Sequence, residues 1–564
     1  MKCIYKCIDF FKRIKKEYII IFLVTTFLFM PFLSLNFNEG HDTVFHLTNI
    51  DAITKMILNL NFSKITPYLA GNHGYGTMIF YPNFPHIVTG IVNIPFYLLN
   101  KGPIYSMKIV YFMIMLLSAY FMYKLVFLLT KNKNKSLLSS IVYITMPYYL
   151  CDIYIRGSFN ESFIFVFMPM ILIGLINLLN NNKKEFYKYF IIGYMGMINS
   201  HLVLSVYFTF LVLVFMLFNI KKYVKNIKPL LVSSLIILIL IIPDMILLIQ
   251  HKNLEIYTVF KNEIVSSTSE TVKTFGLSIK DFIIPGMNEY DLFKYINIIP
   301  IIFMIIGIIK CFKEGKNKSI YMGLLSILVI SIILSLKIFP YEYLPKLLLS
   351  IQFAYRNMCF IILIVSIFAG IGLGKFKSNY QLPIIYLTTI ILCITVSPFI
   401  NKFYQIRDNY YEDRGVKMGM GAHAEYLTLK GHNNLIYYYN RDDSIKVLND
   451  ANSNIKITKN KTPYLEFTVS NINKEIEIEL PRIYYLGYEI KQISSKKTYN
   501  IKYNESDNGF IKLKIKRNGK IIVKYKGTTL YNYLKIIRLL FIIIITIYIV
   551  KEYIYDRKIK KIKY

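Results

Sequence analysis

The chain has 564 residues, 55% of them hydrophobic, with a mean hydropathy of +0.43 and a formal net charge of +34. That apolar content excludes an ordinary soluble domain and fits a polytopic α-helical membrane protein. The charge does not signal nucleic acid, because the lysines gather in short runs between apolar segments and no basic-aromatic surface interrupts those segments.

From the N-terminus, a basic stretch with Lys12, Arg13, Lys15 and Lys16 leads into an apolar run at 18–35. The run is long and no small-residue cleavage site follows it, so it reads as a retained helix and not as a removed signal peptide. Further spans are predicted at 106–129, 137–154, 161–180, 187–200, 202–219, 229–250, 295–311, 319–337, 353–374, 382–400 and 531–550, about 12 transmembrane helices in all. With the N-terminus in the cytoplasm, alternation brings the lysines at 131–135, 183–184, 221–222, 313–318, 375–377 and 558–563 to the same side, the positive-inside pattern. Parity then requires the short stretch 84–99, which contains Pro85 and Pro95, to lie in the outer interface. The amphipathic stretch 44–62 before it reads the same way. The segment 186–218 is expected to break into two helices at Asn199-Ser200-His201, because one crossing would move Lys221 and Lys222 to the far side.

The region 401–530 is polar and carries short alternating runs such as Ile476, Ile478 and Leu480, which predicts a β-sandwich-like domain on the outer face. Ile511, Leu513 and Ile515 alternate up to Asn518-Gly519, and Ile521 and Val523 continue beyond it. A bulged hairpin with Gly519 left-handed keeps one apolar face by pairing Ile515 with Ile521 and Leu513 with Val523. A final helix and basic tail, 531–564, return the chain to the cytoplasm. The expected organisation is therefore a transmembrane domain over 1–400 with a first outer loop at 36–105, then the outer β-domain, then the last helix. The six cysteines show no metal-ligand spacing and predict neither a disulfide framework nor a zinc site.

Sorted by side, the unusual polar residues collect outside. Glu39, His41, Asp42 and His46 open the first outer loop, with His73 and Tyr81 later in it. Arg156 and Glu161 bracket an outer turn, His201 sits at the helix break, and Gln352 and Arg356 begin the span near 353. Ionisable residues at span ends are costly unless paired or used, so the set suggests a site. Each member also has a structural role open to it. Asp42 can cap the helix that follows. Arg156 can pair with Glu161, His201 can be satisfied by backbone, Arg356 can hold a carbonyl or a lipid headgroup, and Tyr81 can simply pack.

The segments Glu39-Gly40-His41-Asp42-Thr43-Val44-Phe45-His46-Leu47, Gly74-Tyr75-Gly76 and Phe80-Tyr81-Pro82 resemble the first outer loop of the bacterial membrane family labelled "6-pyruvoyl-tetrahydropterin synthase-related". Asp152-Ile153-Tyr154-Ile155-Arg156-Gly157-Ser158 with Glu161 is similar to that family's second signature. Gln352-Phe353-Ala354-Tyr355-Arg356 resembles a third, shared with YfhO-like membrane proteins. Ala424-Glu425-Tyr426-Leu427 and the segment from Leu480-Pro481 to Tyr488 resemble family elements in the outer domain. Such proteins resemble the GT-C glycosyltransferase superfamily. The resemblance implies a multispanning enzyme of the bacterial plasma membrane that uses a polyprenyl-phosphate-linked sugar and an acid in its first outer loop. It does not imply pterin chemistry. Many metal-dependent members carry paired acids, so a divalent cation shared by Glu39 and Asp42 stays open.

In that reading Asp42 is the base that takes the acceptor hydroxyl's proton, and one carboxylate implies inversion at the anomeric carbon. Arg356 or Arg156 stabilises the leaving lipid phosphate. His41, His46, His73, Tyr81, Glu161, His201 and Gln352 complete the substrate-binding set, and a cell-envelope glycopolymer or lipid is the expected acceptor. The alternative is a non-enzymatic envelope protein, either a transporter of lipid-linked glycans or an assembly scaffold.

Overall fold

The computed structural model describes residues 15–33, 40, 42–261, 268–284, 294–397, 420, 424–449, 453–495 and 497–562. The chain is mostly helical, with a β-sheet region towards its C-terminal end. Its principal helices are α1 (Lys16–Phe29), α2 (Thr43–Leu58), α3 (Phe84–Leu98), α4 (Ile104–Thr130), α5 (Lys133–Ile144), α6 (Pro147–Tyr154), α7 (Ile164–Leu179), α8 (Lys183–Ser200), α9 (Leu202–Leu217), α10 (Ile227–Lys252), α11 (Ile298–Glu314), α12 (Lys318–Ile333), α13 (Met358–Gly372), α14 (Ser378–Thr395) and α15 (Thr529–Ile562).

Among the described residues, seven helical stretches are long and apolar enough to cross a membrane: Lys16–Leu33, Ile104–Thr130, Phe159–Leu179, Ile227–Lys252, Ala354–Lys375, Ser378–Thr395 and Thr529–Ile547. The other predicted spans also fall on helices, but on shorter or more polar ones. The span expected at 137–154 is two helices, α5 and α6. Pro147 explains the break, because it has no N–H for the preceding helix and a φ suited to the first position of the next. The break at 199–201 forms as expected: α8 ends at Ser200, and His201 turns out to φ −150°, ψ 97° before α9.

The chain divides into two compact units. The first comprises 1–58, 82–230 and 266–416. Its centre is the pair Phe159–Leu179 and Ala354–Lys375, whose apolar windows are 100% and 94% buried. A helix that is apolar all round is stable only when other helices surround it. Around them, α1, α11 and α14 leave Phe22, Leu23, Ile302, Ile305, Leu387 and Ile390 bare, an apolar surface compatible with a bilayer. Helices α11 and α13 meet at two glycines. A Cβ on Gly307 would lie 2.0 Å from the Phe368 carbonyl oxygen, and a Cβ on Gly372 would lie 2.1 Å from that of Phe303. The contact is a small-residue crossing of the kind that lets helix backbones approach in lipid.

The second unit comprises 59–81, 231–265 and 417–564, so it groups part of the first loop and most of α10 with the β region. Its strands are β1 (Lys446–Val447), β2 (Asn454–Lys461), β3 (Tyr464–Ser470), β4 (Ile476–Ile483), β5 (Tyr488–Ser494), β6 (Lys497–Asn500), β7 (Tyr503–Glu505), β8 (Phe510–Ile515) and β9 (Gly519–Tyr525). They form one antiparallel sheet in the order β1-β4-β8-β7 and another in the order β2-β3-β9-β5-β6. Alternation holds as predicted: Ile476, Ile478, Leu480, Ile511, Leu513, Ile515, Ile521 and Val523 are all buried. The hairpin does not form. Ile515 pairs with Ile476 and Leu513 with Ile478, whereas Ile521 pairs with Phe467 and Val523 with Leu465. The chain passes from one sheet to the other at Asn518-Gly519, and each strand finds charged partners there: Lys514 with Glu477 at 2.7 Å and Lys520 with Glu466 at 2.9 Å. Arg482 on β4 reaches across to donate to the Tyr464 carbonyl on β3 at 2.9 Å, which ties the sheets together.

The glycine crossing yields a direct expectation. Gly307→Val forces α11 and α13 apart and should lower the stability of the purified protein by about 2–3 kcal/mol, read from unfolding in detergent.

Candidate functional site

The first unit gathers most of the predicted polar residues around one short turn. Phe159–Ser162 precedes α7, and Asn160 fixes it by donating from Nδ2 to the carbonyls of Pro82 at 2.7 Å and Ser200 at 3.1 Å. That anchoring sets Glu161 close to the end of α8 and hence to His201. Glu161 is 2% exposed. Its Oε1 accepts from the Tyr148 hydroxyl at 2.8 Å, and its Oε2 lies 3.1 Å from Arg156 Nη2 and 3.4 Å from Arg356 Nε. One carboxylate thus bridges two guanidiniums.

Each guanidinium has its own local support. Arg156 pairs with Asp152, one helical turn earlier, and donates from Nη1 to the Tyr148 hydroxyl at 3.2 Å. Tyr148, Asp152 and Arg156 are spaced by four, so they share a face of α6 and its end. Arg356 sits in the turn Ala354–Asn357 at the head of α13 and donates from Nη1 to the Ile351 carbonyl and to Gln352 Oε1, both at 2.9 Å. Phe353 lies 4.9 Å from the Arg356 guanidinium, while the Tyr355 ring lies 5.4 Å from that of Arg156 and 4.3 Å from Lys294 Nζ. Aromatic faces at these distances favour fixed cations.

Asp42 reaches this cluster through a backbone crossing. Its N–H donates to the Arg156 carbonyl at 3.3 Å. A Cβ on Gly40 would lie 2.8 Å from that carbonyl oxygen, and a Cβ on Gly157, whose φ is +61°, would lie 2.1 Å from Thr43 Oγ1. Only glycines permit that approach. Asp42 immediately precedes the first residue of α2, at its N-cap position, and is exposed. Beside the crossing, Thr43 Oγ1 and Ser158 Oγ are buried with no hydrogen-bond partner among the described residues.

Three histidines complete the surroundings. His46 Nδ1 and His86 Nε2 are 2.8 Å apart, with Phe159 packed against both rings. His201 accepts at Nδ1 from the Leu204 N–H at 3.3 Å, as the cap of α9. Burial pushes His46 down to about 3, with His201 contributing. Burial, then Arg356, push His201 down to about 4, against the opposing pull of Glu161. Both rings are therefore neutral at neutral pH and can accept or donate hydrogen bonds without adding charge.

Asp42, His46, Arg156, Glu161, His201, Gln352 and Arg356 thus belong to one region of the first unit. His73 and Tyr81 belong to the second. There His73 Nε2 donates to the Arg441 carbonyl at 3.2 Å and its ring packs edge-on against Phe510, while Tyr81 closes the short turn Thr77–Phe80. Glu39 and His41 lie outside the described residues. Among the described residues no group of three His, Cys, Asp or Glu side chains is arranged to hold a metal ion. Tyr148, Lys294 and His86 join the region without having been singled out from the sequence, and Asp152 and Tyr355 join it from within the quoted motifs. The four-residue spacing 148–152–156 was the available signal for Tyr148 and Asp152. No protein-family model matches the chain, and no curated protein matches it.

His46, which is buried, and His201, which is half-buried, set a pH dependence. In the unfolded chain they take up protons near 6.5, in the folded protein only near 4 and 3. Acid therefore favours the unfolded state across that window. The melting temperature of the detergent-solubilised protein should hold above about pH 7 and fall as pH drops from 6.5 towards 4. His201→Gln should flatten the fall. A wild-type melting temperature that is constant over the window contradicts the burial of neutral histidines.

Proposed function

We propose that this chain is an inverting glycosyltransferase of GT-C type, resembling the membrane family named from its motifs, which moves a sugar from a polyprenyl-phosphate donor to a cell-envelope glycopolymer or lipid. The single observation that carries the reading is that exposed Asp42 is tied by its backbone N–H to the carbonyl of Arg156, one of a buried pair of guanidiniums held by Glu161. Asp42 takes the proton of the acceptor hydroxyl as it attacks the anomeric carbon. Arg356 and Arg156 face the charge that grows on the departing phosphate, and because Glu161, Gln352 and backbone already orient them they need no reorganisation in the transition state. The neutral rings of His46 and His201 position sugar hydroxyls. The reaction lies on the outer face of a bacterial plasma membrane in a chain with about 12 crossings, both termini in the cytoplasm and the β region outside.

One observation favours the second reading, an envelope scaffold or a transporter of lipid-linked glycans. Glu161 already neutralises part of both guanidiniums, and Arg156, Glu161 and Arg356 are each at most 9% exposed. A cluster so closed can serve stability alone. The two readings separate at Asp42, whose carboxylate makes no part of that closed network. In membranes supplied with a polyprenyl-phosphate-linked sugar, Asp42→Asn should reduce transfer by about 10²–10⁴-fold with unchanged expression and melting temperature. Wild-type transfer by this variant contradicts the base assignment, and absence of transfer by the wild type across envelope donors favours the scaffold.

A further inference from the structure

The second unit holds a cleft of about 580 Å³ whose wall carries Lys64, Lys461, Lys524, Lys526 and Lys535. Two of these are neutralised: Lys64 pairs with Asp244 at 2.7 Å and Lys526 with Glu489 at 2.8 Å. The other three have no carboxylate at ion-pair distance among the described residues. Lys461 meets only the amide oxygen of Asn59 at 3.4 Å, Lys524 lies 5.5 Å from the Tyr464 ring, and Lys535 is exposed on α15. Like charges gathered without counter-charges repel one another, so the arrangement costs stability unless an anion occupies it.

The neighbourhood says which anion. Leu60 and Phe62, in the same wall, are 77% and 74% exposed. Beyond Lys535, helix α15 turns bare apolar side chains outwards, among them Ile536, Ile537, Leu539, Leu540 and Ile544. Its stretch Thr529–Ile547 is long and apolar enough to cross a membrane and only 6% buried. Tyr464, Tyr525 and Tyr531 line the cleft as well, the residue type that favours the membrane–water interface. Lysines at the head of a bare apolar helix, flanked by exposed Leu and Phe, match an amphiphile with an anionic head and apolar tails. We propose that this cleft seats the phosphate headgroup of an anionic membrane lipid, with Lys461, Lys524 and Lys535 around the phosphate and the acyl chains along the apolar face of α15. The proposal stands independently of any glycosyl transfer, because none of its residues belongs to the first unit.

The test uses the full-length protein in detergent, titrated with phosphatidylglycerol or with phosphatidylcholine of the same chains and read by native mass spectrometry. The wild type should retain phosphatidylglycerol preferentially. The variant Lys461→Gln/Lys524→Gln/Lys535→Gln should lose that preference by about tenfold or more. Lys456→Gln/Lys474→Gln/Lys502→Gln, which removes the same charge from exposed positions outside the cleft, should keep it. Lys535→Gln alone, on an exposed helical position, should shift the preference in the same direction without a lower melting temperature. Equal retention by the cleft variant and the wild type, or equal loss in the control, overturns the site. Inorganic phosphate is the second probe. If phosphate binds in a cleft-dependent manner while the two lipids are retained alike, the occupant is a free anion and the lipid assignment falls.

Discussion

The first unit depends on one buried carboxylate held between two guanidiniums. Glu161 joins the turn before α7 to the end of α6 through Arg156 and to the head of α13 through Arg356. Arg156 is a near neighbour in sequence, whereas the head of α13 is distant. A buried charge of either sign is expensive alone, and removing one partner from such a network typically costs about 3–5 kcal/mol. Glu161 therefore does more than neutralise charge. It fixes where α7 and α13, both buried along their whole length, place their polar ends.

The rest of the site follows from that fixed point. Arg156 cannot move far without leaving Glu161 and Asp152, so its carbonyl is a stable acceptor for the Asp42 N–H. Gly40 and Gly157 allow the two strands of chain to pass close enough for that bond. Asn160 brings the end of α8, and with it His201, to the same turn. The result is an exposed acid tied through its backbone N–H to the segment that carries one of two buried, oriented cations. The same geometry explains why the histidines are neutral: burial lowers all three, and at His201 the guanidinium of Arg356 adds to it.

Much of this was legible in the sequence, for identifiable reasons. Apolar runs announced the helices because burial or lipid must cover them. Lysine parity required the break at His201, and α8 and α9 separate there. Alternation at 476–480 and 511–523 gave the buried faces of the strands. Pairing was not legible: Asn518-Gly519 is a strong local turn signal, yet each flanking strand gains more from partners in its own sheet, including Lys514–Glu477 and Lys520–Glu466. The division of the chain was also hidden, since the grouping of 59–81 and 231–265 with the β region rests on contacts distant in sequence. At the site, charged residues stood out in apolar surroundings. Tyr148, His86 and Lys294 did not, because a tyrosine, a lone histidine or one more lysine is unremarkable in this composition. His73 stood out equally, and its partners, Arg441 and Phe510, are in the second unit.

The bridging role of Glu161 is measured most directly by a double-mutant cycle on the stability of the purified full-length protein. Glu161→Gln and Arg356→Gln should each destabilise, the first because it leaves Arg356 without its carboxylate and the second because it leaves Glu161 with one guanidinium instead of two. Together they should cost less than the sum, with a coupling of about 1–3 kcal/mol. Additive losses would mean that the carboxylate and the guanidinium do not sense each other, and the constraint from which the site is built would be absent.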